Sequence, residues 1–465
     1  MQLKVVKTNA LKGEITIPAD KSISHRAVML SSLAKGVSVI ENFSKGADCL
    51  STLEVVRSLG VEAEFKDEKA LIINSKKKFV EPKDELYCGN SGTTMRLMAG
   101  ILAGQNFNSV LTGDESLSKR PMGRIIEPLG LMGAVIEGTG NGEQGTVDRN
   151  QKIENLSPIH LLTYSPKITA PLKITGTKLH GIDYISKLAS AQVKSCVLLA
   201  GLHASGKTSF TEPYPSRNHT ELMLEYLGAN IQVERPNSKN SSTVQLSDHA
   251  TSTIIKPSIL QSRNITVPGD ISSAAFFIVA GLIVPKSEIT LKNVGLNPTR
   301  TGILEVIEKM GGQMEILDEK TVSNEIVGDL RVKHSELKGC VIEGEIVPKL
   351  IDELPVIAVL ATQAEGKTIV RDAQDLRNKE SDRIKAIVTE LKKLGANIEE
   401  TEDGFIVTGK TKLKGGAGVE TYRDHRLAMS LYAAGLICEE PILINGFEWA
   451  NISFPEFEEL IGRLT

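Results

Sequence analysis

The chain has 465 residues, 41% of them hydrophobic and 24% charged, a length that suits roughly two to four globular domains. A net charge of −3 excludes an overall pull toward nucleic acid or anionic membrane, and no apolar run approaches transmembrane length. The five cysteines are far apart with no CxxC pair, which suits a reducing compartment better than a disulfide framework, and the eight histidines show no HExxH-like metal spacing; a soluble cytoplasmic protein is expected.

The opening MQLKVVKTNALKGEITIP alternates like a strand and lacks an apolar signal core. A two-part unit then recurs. Its first part is a small polar start, an Ala/Leu/Val-rich helix, a glycine or turn, and a strand. This part begins at DKSISHRAVMLSSLAKG, GNSGTTMRLMAGILAG, SAQVKSCVLLAGLHASG, GDISSAAFFIVAGLI, DELPVIAVLATQAEG and DHRLAMSLYAAGLI. The second part is an amphipathic helix, a glycine cap and a strand, and its glycines are Gly60, Gly133, Gly228, Gly311 and Gly395. The unit thus appears six times, the last copy cut short.

Within the third copy, GLHASGKT (201–208) satisfies the phosphate-loop pattern G-x-x-x-x-G-K-[ST]. A phosphate cradle needs a strand before the loop and a helix after it. Here SAQVKSCVLLAGL reads as a helix and TSFTEPY as a strand, and QAEGKTIV (363–370) fills the same slot in the fifth copy. The Gly-Lys-Thr therefore reads as helix-to-strand punctuation. Between copies three and four, RPNSKNSSTVQLSDHATSTIIKPSILQSRN reads as an insertion or exposed hairpin next to a linker. Three copies on each side make two similar domains.

Cationic residues stand at or near the helix starts: Lys21 and Arg26; Arg96; Lys119, Arg120 and Arg124; Lys379 and Arg383; Arg426. Helix N-termini favour anions, and arginine grips carboxylate or phosphate bidentately, so the pattern points to anionic ligands. The alternative for each residue is an ordinary surface cation. Asp352 and Glu380 are the carboxylates best placed for acid–base work. Each has a structural alternative, Asp352 as an N-cap and Glu380 as the i,i+3 partner of Arg383. His25 and His425 read equally as capping or solvated groups at helix ends.

The segments DKSISHR, GNSGTTMR, KRPMGR, SAQVKS, SRNHTE, PGDISSAAF, DELPVIAV, RNKESDR, DHRLAM and SFPEF, in that order, resemble the EPSP synthase family of enolpyruvyl transferases over nearly the whole chain. The resemblance implies an α/β fold of two similar domains, each of three βαβαββ-type repeats around a pseudo-threefold axis, with the active site in the interdomain cleft. Residues 1–20 and 266–465 would form one domain and 21–265 the other.

The implied reaction moves the enolpyruvyl group of phosphoenolpyruvate onto the 5-hydroxyl of shikimate 3-phosphate, through a tetrahedral adduct that loses phosphate. By the same resemblance, shikimate 3-phosphate would be bound by Lys21, Ser22, Arg26, Ser190, Ala191, Gln192, Arg217, Asp352 and Lys379. Phosphoenolpyruvate would be bound by Lys21, Asn90, Gly92, Arg120, Gln192, Arg383 and Arg426. Asp352 would accept a proton, Glu380 would manage protons at the methylene, and Lys21 would complete the catalytic set. No metal, organic cofactor, nucleic acid or membrane is implied, and a monomer is expected.

Two features bear on the comparison. A lysine that well-known members carry before the C-terminal Ser/Thr-Phe-Pro is missing from WANISFPEF, which has Asn451 and Ile452 there. Gly92 accompanies glyphosate sensitivity in the family. The alternative acceptor, UDP-N-acetylglucosamine, goes with a lid-loop cysteine that GDESLSKRPMGR lacks.

Overall fold

The structure, a computed structural model, describes residues 1–76, 78–139, 168–235 and 249–465. The chain divides into two compact units, Ser22–Thr266 and a discontinuous one of Met1–Lys21 with Val267–Thr465.

The helices of the Ser22–Thr266 unit are α1 (Lys21–Leu33, its first residue belonging to the other unit), α2 (Ala47–Ser58), α3 (Gly92–Ala103), α4 (Gly123–Leu131), α5 (Ala191–Gly201) and α6 (His219–Tyr226). Its strands form three four-stranded sheets with one topology. In the second copy Leu86–Tyr87 pairs parallel with Asn108–Thr112, which pairs antiparallel with Thr169–Thr175, which pairs antiparallel with Val135–Thr139. The third copy repeats this pattern with Asp183–Ile185, Thr208–Glu212, Thr251–Ile255 and Ile231–Glu234. In the first copy the short parallel strand is Ile265–Thr266, paired with Gly36–Glu41.

The discontinuous unit holds α7 (Ile271–Ile283), α8 (Gly302–Lys309), α9 (Val347–Leu350), α10 (Leu354–Thr362), α11 (Arg383–Lys393), α12 (His425–Gly435) and α13 (Phe457–Gly462). Two of its sheets follow the same order, starting from Lys12–Thr16 beside Glu288–Gly295 and from Leu337–Lys338 beside Ala364–Val370. The third is shorter: Gly418–Glu420 lies parallel to Ile442–Asn445, and Gln2–Val5 pairs antiparallel on its other side. The opening residues are therefore two strands rather than one alternating run. They serve different sheets, and the Thr8 N–H is taken by the Leu436 carbonyl between them.

The two helices of each copy differ in pattern because they differ in place. Every residue of α7 and of α10 is buried, which explains ISSAAFFIVAGLI and LPVIAVLAT as helices apolar all round. α8 and α11 bury one face only. In the other unit α3 and α5 approach so closely that a Cβ on Gly100 would lie 2.2 Å from the Cys196 carbonyl oxygen, so only glycine fits.

The repeated glycines share one conformation, with φ of 87° at Gly60, 93° at Gly133, 84° at Gly228, 81° at Gly311 and 93° at Gly395. At each, the glycine N–H bonds the carbonyl three residues back and the next N–H bonds the carbonyl five back, as in Gly228 to Glu225 and Ala229 to Leu224. This is the Schellman closure, which satisfies the last helical carbonyls and turns the chain into the following strand.

The phosphate-loop look-alike resolves as its order suggested: α5 ends at Gly201 and the strand begins at Thr208. Gly206 and its counterpart Gly366 both have φ of 89° with open space around a Cβ, so these glycines supply a turn rather than a cradle. Lys207 is half-exposed, 3.6 Å from Asp183. Of the polar segment read as an exposed hairpin, residues 236–248 lie outside the described residues, while the flanking strands Ile231–Glu234 and Thr251–Ile255 pair antiparallel.

Gly228 has no neighbour within 4 Å of a Cβ, so replacing it tests backbone conformation alone. Gly228→Ala is expected to cost on the order of 1 kcal/mol and to lower the melting temperature of its unit by roughly 2–4 °C in calorimetry. Gly228→Asn should cost less, because asparagine tolerates the left-handed region better.

Candidate active site

Several helices of the discontinuous unit begin at an acidic residue, and three of these starts, those of α7, α10 and α12, are linked to one another. Asp270 caps α7 by accepting the Ser272 N–H, Asp424 caps α12 by accepting the Arg426 N–H, and Glu353 precedes α10. Glu353 makes no cap bond of its own and instead accepts the Ser272 hydroxyl, which ties the starts of α7 and α10 together. Arg426 donates to the Ser272 carbonyl at 2.9 Å and lies over the Phe276 ring, which ties α12 to α7.

Two buried arginines lie among these caps. Arg383 donates from Nε to Asp424 at 2.8 Å, from Nη1 to Asp352 at 3.2 Å and from Nη2 to Glu380 at 2.5 Å. Arg300 reaches Asp270 at 3.4 Å, Glu353 at 3.5 Å and Asp352 at 3.9 Å. Burial disfavours both charges, but for Arg300 the carboxylates of Glu353 and Asp270, and for Arg383 those of Asp424 and Glu380, outweigh it and raise both pKa values. Burial likewise works against ionisation of Asp270, and Arg300, Arg426 and the Ser272 N–H overcome it and hold its carboxyl below the usual range.

Asp352 is not an N-cap, because it stands one residue ahead of Glu353. It is faced by Arg383, by Arg300 and by Lys379 at 3.8 Å, with its side chain 17% exposed. Glu380 does pair with Arg383 at i,i+3, yet its side chain keeps 21% of its surface open. The two carboxylates proposed for proton transfer therefore share one arginine and both reach solvent. Lys379 bridges Asp352 and Asp375. His425 is buried as the first residue of α12. Burial first, then Lys21, Arg426 and Arg383, hold its pKa well below 6.5, although Glu380 pulls the other way.

In the Ser22–Thr266 unit α3 and α5 begin at serines, with partly exposed arginines beside the α3 start. Ser91 caps α3 by accepting the Thr94 N–H. Around this start Arg120 donates to Asn90 at 2.6 Å and Arg96 donates to Gln192 at 2.5 Å. A Cβ on Gly92 would come within 3.2 Å of Arg96 Nη1 and 3.5 Å of Arg120 Nη1, so glycine leaves the helix start open between two guanidinium groups. Ser190 is the N-cap residue of α5, followed by Ala191 and Gln192, and Gln192 also donates to Thr93 at 3.2 Å. Buried Arg26 donates to Thr220 at 2.6 Å, to Ser195 at 2.9 Å and to the Ser22 carbonyl at 2.9 Å. Arg217 is half-buried in the loop before α6. His25 is not a cap but a buried helix residue 2.6 Å from Thr52.

Each unit thus brings part of the expected set together. Asp352, Lys379, Glu380, Arg383 and Arg426 gather around the caps of one, while Asn90, Gly92, Arg120 and Gln192 gather at the α3 and α5 starts of the other. Sequence reading missed Arg300, Asp270 and Asp424. The available signal was NPTRTG, an arginine one residue before the small polar start of α8.

Six copies of one unit in two bodies, with arginines near helix starts in each, match the enolpyruvyl transferase fold. The enolpyruvyl transferase NikO from Streptomyces tendae shares it with a TM-score of 0.74 at 15% identity, covering 100% of this chain and 97% of that one. An EPSP synthase from Acinetobacter baumannii matches with a TM-score of 0.81 at 41% identity, covering 100% of this chain and 98% of that one. The family model for EPSP synthase (3-phosphoshikimate 1-carboxyvinyltransferase) matches residues 5–164 and 161–461. A 3-phosphoshikimate 1-carboxyvinyltransferase from a Thermoanaerobacter species is 48% identical over the full length of both chains. The chain belongs to the EPSP synthase family.

The neutral, buried state of His425 has a consequence for stability. Its folded pKa lies below the unfolded value of 6.5, so the unfolded chain takes up the proton first, and stability is fully present above that value and falls as pH drops through it. His425→Gln should flatten the loss of melting temperature between about pH 7 and pH 5. An unchanged slope would contradict the buried neutral imidazole.

Proposed function

We infer that the chain transfers the enolpyruvyl group of phosphoenolpyruvate to the 5-hydroxyl of shikimate 3-phosphate and releases phosphate. The observation that carries this reading is full-length identity of 48% to a 3-phosphoshikimate 1-carboxyvinyltransferase. The chemistry of the helix starts supports it, because both substrates are polyanions and would repel each other without fixed cations between them.

In the proposed mechanism the 5-hydroxyl attacks C2 of phosphoenolpyruvate as C3 gains a proton, giving a tetrahedral adduct. Loss of phosphate and of one C3 proton then yields the enol ether. Asp352 orients the shikimate hydroxyls and accepts the hydroxyl proton, while Glu380 handles the C3 proton. An anion arriving at Arg383 competes with Glu380 for the guanidinium, which frees that carboxylate to take a proton. Lys21 completes this set and contacts both substrates.

Shikimate 3-phosphate is assigned to Ser22, Arg26, Ser190, Ala191, Gln192, Arg217 and Lys379. Phosphoenolpyruvate is assigned to Asn90, Gly92, Arg120, Arg383 and Arg426, with Gln192 shared. The open helix start at Gly92, between Arg96 and Arg120, supports the second assignment. Both substrates are small cytoplasmic molecules, and the proposed reaction needs no metal, organic cofactor or second copy of the chain.

Phosphate release from phosphoenolpyruvate should depend on shikimate 3-phosphate and should not occur with UDP-N-acetylglucosamine. Asp352→Asn, nearly isosteric, is expected to lower kcat at least about 10²-fold. Turnover with the UDP sugar would overturn the substrate, and full activity in the variant would overturn the role of Asp352.

A further inference from the structure

The loop that carries Arg217 is tied down by a buried charge cluster that the proposed mechanism does not use. Lys194 lies on α5, one turn beyond the Ser190 cap, with 2% of its surface exposed. Its Nζ donates to Glu212 at 2.7 Å and to the Ser216 carbonyl at 3.1 Å, and pairs with Glu221 at 2.7 Å. Glu212 ends the strand Thr208–Glu212 and also accepts the Ser216 N–H at 2.9 Å. Glu221 sits in the first turn of α6. Both backbone polar groups of Ser216, the residue before Arg217, are therefore held by the cluster.

The neighbouring positions make a parallel link. Ser195 follows Lys194 and Thr220 precedes Glu221, their hydroxyls lie 2.6 Å apart, and Arg26 donates to both. One face of α5 thus joins Arg26, the Arg217 loop and the start of α6. Burial would drive a lysine toward its neutral form, but Glu221 and Glu212 outweigh it and raise the Lys194 pKa, so the ammonium persists.

Stability is a poor explanation for such a cluster. A buried ion pair recovers little more than its desolvation cost, and apolar side chains of similar volume often serve as well. What a lysine supplies here is direction: three donors fix one loop against one helix. A loop that arrives pre-ordered loses less entropy when it closes on a ligand.

We propose that Lys194 is a positioning residue that holds the Arg217 loop against the start of α5 and thereby sets affinity for the phosphate of shikimate 3-phosphate. The proposal rests on the reading that Arg217 and Ser190–Gln192 grip that substrate.

The test is steady-state kinetics on the full chain, varying each substrate at saturation of the other. The double variant Lys194→Met/Glu221→Gln removes the ammonium without stranding both carboxylates. Its KM for shikimate 3-phosphate should rise roughly tenfold while KM for phosphoenolpyruvate stays within about twofold and kcat within about threefold. Lys194→Arg keeps the charge but not the three-way geometry, so it should show a smaller rise confined to the same substrate. It also serves if the double variant does not fold.

Arg217→Gln is the reference. If it raises KM for shikimate 3-phosphate and the Lys194 variants only lower the melting temperature, Lys194 is structural and the proposal is overturned. If Arg217→Gln leaves that KM unchanged, the assignment of Arg217 fails, and the proposal falls with it.

Discussion

One guanidinium organises half of the candidate site. Arg383 is buried and divided among Asp424, Asp352 and Glu380, which come from three separate places: the cap of α12, the approach to α10 and the turn before α11. A buried cation with too few partners is costly, and so is a buried carboxylate, so each of these groups requires the others to be where they are. Arg300 makes the same bargain with Asp270 and Glu353. The two arginines and the caps fix three helix starts relative to one another, and leave Asp352 and Glu380 as the members with open surface.

The two units use one architecture with different caps at the helix starts that gather the candidate residues. In the discontinuous unit acidic caps hold the arginines, so cation and anion are nearly balanced before any ligand arrives. In the other unit α3 and α5 begin at serines, and Arg96 and Arg120 flank the α3 start that Gly92 keeps open. The first arrangement suits proton transfer, because its carboxylates are poised by shared cations. The second suits an anion, because the N–H groups of the Ser91-capped α3 start lie beside two guanidinium groups. Gene duplication alone would give six similar helix starts; the chemistry lies in which of them carry acid and which carry serine or glycine.

Much of the fold was legible because it rests on local rules. The glycines at 60, 133, 228, 311 and 395 mark helix ends since only glycine adopts that backbone easily, and the helix-then-strand order around GLHASGKT demoted it from phosphate cradle to connector. The N-terminal strand was less legible: Gln2–Val5 and Lys12–Thr16 read as one run because their separation depends on distant partners, Ile442–Asn445 and Glu288–Gly295. Side-chain roles were harder again. Arg300 and Lys194 look like any surface cation in a linear sequence, and only burial beside carboxylates separates them. Asp270 and Asp424 were passed over as the first letters of helices, although their caps hold the arginines in place.

The planar fork of Arg383, and not merely its charge, is what holds Asp352, Glu380 and the helix starts in register. Arg383→Lys keeps a cation there but cannot donate to three carboxylates in the same directions. Steady-state assay of this variant, with melting temperature as the control for folding, is the most direct test. The expected result is a kcat lower by at least about 10²-fold and a raised KM for phosphoenolpyruvate in a protein that remains folded. Turnover within about twofold of the parent would contradict it.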